Sequence, residues 1–184
     1  AWARYELSKL KPTAEGDEIV AELNRNGTVD DAGTRSLVRL EKQLRFSTRQ
    51  PHLSVRYDLI NRYLEPAALW FGVEINLLLP GGVLGKALFD GLCDFGDVEG
   101  PLDEPRALRR VGYLALIDES ADLVIGIYPE EPLDVWMMPV ITVHRAGEGF
   151  GPYHQGTHLL LHGDHDLWGS EQHRVAFRIE FNSI

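Results

Sequence analysis

The feature that most constrains this chain is a two-residue alternation of apolar and polar side chains that recurs in segment after segment. In residues 37–46 the apolar members are Val38, Leu40, Leu44 and Phe46, and the polar members between them are Arg39, Glu41, Gln43 and Arg45. Residues 53–59 and 174–181 repeat the pattern. Because successive side chains of a β-strand point to opposite faces, each segment predicts a strand with one face in a core and the other in water.

Turn residues divide the rest of the chain into further short apolar segments. Six more strands are expected at 19–23, 67–79, 111–117, 122–128, 135–144 and 156–162, with turns at 24–27, 80–82, 129–132 and 147–152. Residues 83–93 are a candidate short helix interrupted by Gly85 and Gly91, and residues 94–110, rich in Gly, Pro and charge, are expected to be a loop. We therefore predict an all-β fold of two antiparallel sheets packed as a sandwich.

The length of the chain and its termini predict a simple domain organisation. Its 184 residues suit one β-sandwich domain, which we assign to residues 19–184. The polar residues 1–18 are expected to be a linker or a remnant of a preceding domain. Because the chain opens at Ala1 rather than Met, we expect an excised domain whose parent carries any targeting signal.

Charge and cysteine content exclude several classes of function. The formal net charge is −10, from 28 acidic and 18 basic residues, whereas a protein that tracks a nucleic-acid backbone needs a positive surface. No apolar run approaches the roughly 20 residues of a membrane helix. The single cysteine, Cys93, excludes an internal disulfide and favours a reducing, cytoplasmic compartment. We expect neither nucleic acid nor a membrane as a partner.

Two blocks of the sequence carry a family resemblance. The first is Ser-Val-Arg-Tyr-Asp-Leu-Ile-Asn-Arg-Tyr-Leu-Glu-Pro at 54–66, followed by Leu-Trp-Phe-Gly-Val-Glu-Ile-Asn-Leu at 69–77. The second is Trp-Met-Met-Pro-Val-Ile-Thr-Val at 136–143, with Gly-Glu-Gly-Phe at 147–150 and Tyr-His-Gln-Gly at 153–156. In this order the blocks resemble the C-terminal β-sandwich domain of glycoside hydrolase family 57, the α-amylases and 4-α-glucanotransferases. The family pattern is similar to Tyr-Gln-Gly at the last block, so His154 is an insertion or a substitution here.

The resemblance implies a galactose-mutarotase-like supersandwich inside an enzyme that processes α-glucan. The catalytic pair of the family lies on an N-terminal domain outside this chain, so the resemblance implies no catalytic residue and no cofactor here. It implies a non-catalytic accessory domain that buttresses the N-terminal catalytic domain of the same polypeptide and contacts α-glucan. Two alternatives stay open: an autonomous α-glucan-binding module, and a small sugar-active enzyme such as a mutarotase.

Six residues form the candidate carbohydrate-binding set. Along 69–77 the alternation leaves Trp70, Glu74 and Asn76 on one face, where an indole can stack on a pyranose ring while a carboxylate and an amide bind its hydroxyls. The second block adds Trp136, Tyr153 and Gln155. The alternative for the Trp70 face is packing against another domain.

The histidine-rich segment after the second block gives weaker candidates. A metal site is conceivable at His162, Asp164, His165 and Asp166 if a turn converges these groups, and the alternative is a polar hairpin turn. A mutarotase needs a glutamate base and a histidine acid, for which Glu74 or Glu148 with His144 or His154 are candidates.

Overall fold

The computed structural model describes residues 4–31, 34–79, 87–94, 96–146 and 149–184. Within these ranges the chain forms strands and turns, with no helix. The strands are β1 (Glu6–Pro12), β2 (Glu18–Asp31), β3 (Thr34–Ser47), β4 (His52–Asn61), β5 (Ala67–Leu77), β6 (Ala87–Cys93), β7 (Gly96–Pro101), β8 (Arg106–Val111), β9 (Tyr113–Asp118), β10 (Leu123–Pro129), β11 (Leu133–Ala146), β12 (Gly149–Leu167) and β13 (Gln172–Asn182).

The strands form two sheets. Nine strands run in the order β1-β2-β3-β4-β13-β10-β9-β6-β7, and four run in the order β5-β12-β11-β8. The registers are antiparallel, as in β2–β3, β3–β4, β9–β10 and β11–β12. This confirms the predicted all-β fold of two antiparallel sheets.

The chain divides into two compact units, which are described separately. Unit 1 comprises residues 1–71 and 164–179, and unit 2 comprises residues 72–163 and 180–184. The sequence analysis placed residues 1–18 in a linker or remnant; in the structure Glu6–Pro12 form β1, which pairs with β2 along its length. This strand lacks alternation because nearly all of its side chains are exposed.

The core of unit 1 follows the predicted alternation. One face of β3 and β4 is buried at Val38, Val55, Tyr57 and Leu59. The opposite face of β3 carries polar and charged side chains such as Arg39, Glu41 and Gln43. The Tyr57 ring packs edge-on against Phe71, with centroids 5.3 Å apart. Burial raises the pKa of the Tyr57 hydroxyl to about 12.

A buried asparagine organises the loop after β4. Asn61 Nδ2 donates to the carbonyls of Glu65 at 2.8 Å and Leu167 at 3.1 Å, and its Oδ1 accepts the Tyr63 amide at 2.9 Å. The backbone at Gly169 also approaches this loop closely, since a Cβ at Gly169 would lie 2.1 Å from the Leu64 carbonyl oxygen. The asparagine of the first family block and the glutamate carbonyl that it binds therefore have a structural role.

Unit 2 contains the main departures from the sequence analysis. The candidate helix at 83–93 is wrong where the structure describes it, because 87–93 form β6 with Ala87, Phe89 and Cys93 buried. Gly91 does not break a helix; it lets β6 approach β9, since a Cβ there would lie 2.7 Å from the Tyr113 carbonyl oxygen. Residues 80–86, with the predicted turn at 80–82, lie outside the described residues.

Two predicted irregular regions are also strands. The expected loop at 94–110 contains β7 and β8, and the expected turn at 24–27 lies inside β2, where Asn24 to Gly27 pair with Glu41 to Val38 of β3. Pairing with neighbouring strands thus overrides the turn propensity of Asn and Gly. None of the described residues belongs to a helix of the length and hydrophobicity required to traverse a bilayer.

The longest hairpin of unit 2 joins β11 and β12. Its register extends from Asp134↔His162 to Ala146↔Gly149, so the turn falls at 147–148, outside the described residues. Val140 pairs with Gly156 but Ile141 pairs with His154, which leaves Gln155 as an extra residue in β12. A β-bulge of this kind is the geometry that one additional residue produces in a paired strand.

Candidate functional site

The candidate site lies on one face of the four-stranded sheet, within unit 2. Alternation along β5 buries Val73 and exposes Glu74 and Asn76, and β11 exposes Trp136 and Met138 on either side of the buried Met137. We call Glu74, Asn76, Trp136, Met138 and His158 the small-sheet face. Their strands are neighbours in the order β5-β12-β11, so the three backbones fix the spacing of the face.

Three polar side chains of this face form a connected group. Asn76 Nδ2 donates to Glu74 Oε1 at 3.0 Å, and Asn76 Oδ1 lies 3.0 Å from His158 Nδ1. The same imidazole nitrogen is 3.5 Å from Glu74 Oε1. With Asn76 Oδ1 as the acceptor, His158 Nδ1 is the donor, which leaves Nε2 of a neutral ring as an acceptor. The group therefore offers a carboxylate, an amide and an imidazole to one ligand.

Trp136 supplies the aromatic part of the face. Its side chain is 44% exposed, and its ring meets His162 edge-on with centroids 4.7 Å apart. His162 is buried and so holds one edge of the indole while the rest faces solvent. Met138 pairs across the strands with His158, which places a thioether between the indole and the polar group. An exposed ring next to hydrogen-bonding groups suits a ligand with an apolar face and polar edges, such as a pyranose.

The structure distributes the six predicted residues unevenly. It brings Glu74 and Asn76 together and sets Trp136 on the same sheet. Tyr153 pairs with Thr142 farther along the hairpin, and Gln155 is the bulged residue. Trp70 lies in unit 1, where its side chain is 53% exposed.

The sequence analysis missed His158 as a member of the site. His154, His158 and His162 have the same parity in the sequence, but the bulge at Gln155 interrupts the alternation between His154 and His158. His154 is buried, and neither ring nitrogen has a hydrogen-bond partner in the described part of the chain. Gly156, next to the bulge, allows close approach to β5, since a Cβ would lie 2.2 Å from the Leu77 carbonyl oxygen. Only the strand order, which places β12 next to β5, identifies His158.

The weak metal candidates do not converge. The predicted turn at 162–166 is wrong, because these residues lie inside β12, where neighbouring side chains alternate between faces. His162 contacts Trp136 in unit 2, whereas His165 stacks on His173 in unit 1, with centroids 4.3 Å apart. Across the described ranges, no three His, Cys, Asp or Glu side chains are grouped so as to hold a metal ion.

The acid–base pairs considered for a mutarotase are only partly described. Glu148 lies outside the described residues, and the structure does not describe the side chain of His144. Glu74 contacts His158 and is 62% exposed at its side chain. Of the candidates for the base, Glu74 contacts His158, which is not one of the two candidate acids.

Comparisons with known proteins agree with this architecture. The family profile described as "Alpha-amylase/4-alpha-glucanotransferase, C-terminal" matches residues 3–181. A search of curated proteins found no match. Among solved structures, the chain resembles a 4-alpha-glucanotransferase from Thermococcus litoralis, with a TM-score of 0.63 and 18% identity over 98% of this chain and 22% of that one.

Two further structures resemble the whole chain in fold. A galactose mutarotase-like protein from Clostridium acetobutylicum gives a TM-score of 0.65 at 10% identity, over 98% of this chain and 67% of that one. A galactose mutarotase related enzyme from Lactobacillus acidophilus gives 0.63 at 9% identity, over 97% and 71%. These likenesses confirm the predicted galactose-mutarotase-like fold. The chain spans about a fifth of the glucanotransferase and about two thirds of the mutarotase-like proteins.

Proposed function

Because the chain belongs to the family of α-amylase and 4-α-glucanotransferase C-terminal domains, we propose that it is a non-catalytic accessory domain that braces a glucan-processing catalytic domain and contacts α-glucan through the small-sheet face. The catalytic domain would belong to the same polypeptide. The proposed contact residues are Trp136, Glu74 and Asn76, with His158 added by the geometry. Tyr153 and Gln155 lie along the same hairpin and would extend the contact.

The observation that carries the glucan contact is the exposed Trp136 ring beside the Glu74–Asn76–His158 group. Glucan rings have apolar C–H faces that stack on indole and hydroxyl edges that need donors and acceptors. The group supplies acceptors at Glu74 and both kinds of partner at Asn76. Asn76 is held by contacts with Glu74 and His158, so part of the side-chain entropy is already lost before a ligand binds.

The first test is a titration of the purified chain with maltoheptaose, followed by tryptophan fluorescence, with cellohexaose as the control sugar. We expect a saturable change with maltoheptaose that Trp136→Ala reduces by about tenfold in affinity. The matched control is Trp168→Ala, an exposed tryptophan of unit 1. If Trp136→Ala leaves maltoheptaose affinity unchanged, the small-sheet face does not contact glucan.

The β11–β12 hairpin is the proposed bracing element. Beyond the bulge it exposes Ile141, Val143 and Phe150 to solvent, although these are large apolar side chains. In the 4-alpha-glucanotransferase of known structure the matching region is 22% of the chain. In such a longer polypeptide, the remaining domains can cover this apolar surface. In a longer protein that carries the domain, Val143→Ser with Phe150→Ser should lower the melting temperature, whereas the equally exposed Leu64→Ser should not.

The Glu74–His158 contact favours a second candidate, an aldose mutarotase activity. A carboxylate and an imidazole on one face can accept and donate protons at a sugar. The test is anomer equilibration of fresh α-glucose followed by polarimetry. A rate that Glu74→Gln abolishes would establish the enzyme, and a rate equal to buffer would exclude it.

A further inference from the structure

A polar depression in unit 1 has no place in the function proposed above. It has a volume of about 390 Å³ and is lined by residues of β1 to β4 that include Glu22, Asn24, Arg39, Glu41 and Gln43. Known ligand sites occupy about 300–1,000 Å³. We call this depression the polar furrow. It occupies the β3 face that the sequence analysis assigned simply to water.

The carboxylates that line the furrow are each paired with a cation. Glu22 pairs with Lys9, Glu41 with Arg39, and Asp58 with both Arg56 and Arg174. Lys42 does not contribute to this balance, because its ammonium lies over the buried Tyr57 ring, 5.2 Å from the centroid. The chain as a whole has a net charge of −10. A site for an anion or a cation concentrates the opposite sign, so this balance favours a neutral ligand.

Pairwise contacts hold the furrow side chains in fixed orientations. Arg39 Nε donates to Glu41 Oε1 at 2.8 Å, Arg45 Nε donates to Gln43 Oε1 at 2.8 Å, and Gln43 Nε2 donates to Glu22 Oε1 at 3.1 Å. Lys9 Nζ also binds Glu22 Oε1 at 2.9 Å. Groups that are already positioned lose less entropy when a ligand binds.

A buried carboxylate anchors the floor of the furrow. Asp58 has a 6% exposed side chain; its Oδ1 accepts Arg174 Nε at 2.9 Å, and its Oδ2 lies 3.1 Å from Arg56 Nε. The Arg56 contact is an ion pair whose angle makes no hydrogen bond, so Arg56 Nε keeps a buried donor without a hydrogen-bond partner. Because Nε is buried while the Arg56 side chain as a whole is 38% exposed, the ion pair fixes the guanidinium and leaves other atoms of the side chain at the surface.

The furrow side chains can form more hydrogen bonds than they make with one another. A carboxylate accepts about four hydrogen bonds and a guanidinium donates five. The face continues past Arg45, which pairs with Glu18, to a second depression near Arg49 and Asp17. Since β3 rises about 3.4 Å per residue, the track from Arg39 to Ser47 is roughly 27 Å long. An elongated ligand with many hydroxyls matches its length and its chemistry.

We propose that the polar furrow of unit 1 is a second carbohydrate site, which takes a neutral oligosaccharide by hydrogen bonds without aromatic stacking. Only the choice of α-glucan as the main probe rests on the proposed function. Gln43 lies at its centre and bridges Arg45 and Glu22. Among the furrow residues, loss of Gln43 should lower the affinity for the oligosaccharide most without removing a charge.

The experiment is a heteronuclear NMR titration of the 184-residue chain with maltoheptaose and, separately, cellohexaose. The furrow is reported by the Arg39 and Arg56 Nε–H and Gln43 side-chain amide signals, and the small-sheet face by the Trp136 indole signal. We expect saturable shifts of the furrow signals with at least one sugar, weakened about tenfold by Gln43→Leu and unchanged by Gln172→Leu. If Gln43→Leu does not fold, Arg39→Lys is used instead, because this substitution keeps the positive charge and removes the planar guanidinium group.

The two proposals fail separately in this experiment. Shifts at Trp136 with unmoved furrow signals would overturn the furrow proposal alone, and shifts confined to the furrow would overturn the glucan contact of the small-sheet face alone. Sodium phosphate is the ionic probe. If phosphate moves the furrow signals and neither sugar does, the furrow is an ion site and the proposal is wrong.

Discussion

The small-sheet face and the polar furrow are both outward faces of antiparallel strands, but they differ in composition. The small-sheet face combines one exposed indole and a thioether with a three-member polar group. The furrow is lined chiefly by charged and amide side chains that bind one another. The comparison teaches that strand alternation marks an outward face without specifying its chemistry.

The two faces also differ in how they depend on the rest of their units. The small-sheet polar group is largely exposed and rests on strands that are fixed by backbone pairing. The furrow rests on the buried Asp58, and the opposite face of the same strand buries Tyr57 and Asn61 in the core of unit 1. Substitutions under the furrow should therefore cost more stability than substitutions on the small-sheet face.

The largest effect is expected at Asn61. Asn61→Ala removes a buried amide that binds four backbone groups of unit 1, and should lower the free energy of unfolding by about 3 kcal/mol. Chemical denaturation measures the change. Asn26→Ala, an exposed asparagine of β2, is the control and should change stability by less than about 0.5 kcal/mol.

Tyr57 should make the stability of unit 1 fall at high pH. Its hydroxyl has a pKa of about 12 in the folded protein because of burial, against about 10 when unfolded. The neutral form is favoured on folding, so the contribution is complete below pH 10 and is lost as the pH rises to about 12, by up to about 2–3 kcal/mol. Tyr57→Phe should flatten this slope, and the exposed Tyr63→Phe should leave it. An unchanged slope in Tyr57→Phe would refute this assignment.

Asp58 tests the anchor of the furrow directly. Asp58→Asn leaves Arg174 and Arg56 without their common carboxylate, and should cost about 2 kcal/mol, since both guanidinium groups keep partial contact with water. Denaturant midpoints measure the loss, with the exposed Asp103→Asn as the matched control. An unchanged denaturant midpoint in Asp58→Asn would mean that Asp58 does not stabilise the furrow.

The smallest effect is expected on the small-sheet face. Asn76→Ala breaks contacts with Glu74 and His158 that are largely exposed, so the free energy of unfolding should change by less than about 0.5 kcal/mol. Thermal melts of Asn76→Ala and Asp58→Asn under one condition compare the two faces. A loss at Asn76 as large as that at Asp58 would remove the distinction between them.

Much of the fold was predictable because apolar alternation records burial on one face. The segments at 37–46, 53–59 and 174–181 lie within β3, β4 and β13. β1 shows no such alternation because its side chains are exposed on both faces. β6 was misread as part of a short helix at 83–93; Gly91, which interrupted that helix pattern, permits close approach of β9.

The candidate site was less predictable because it depends on contacts between distant strands. The parity of β5 predicted Glu74 and Asn76 on one face, but nothing near His158 in the sequence indicates that β12 is the neighbour of β5. The bulge at Gln155 also interrupts the alternation between His154 and His158, which the sequence does not reveal. The furrow escaped notice because a row of alternating charges is usually only a solvated strand face.

The strand order has a consequence for how the protein is made. β13 is the last described strand along the chain, yet it occupies the centre of the nine-stranded sheet, between β4 and β10. During synthesis β4 and β10 emerge well before their common neighbour, and each presents an open edge until β13 leaves the ribosome. The sheet cannot be completed strand by strand in the order of translation. The nascent chain must therefore keep two edges from pairing with other strands until β13 arrives.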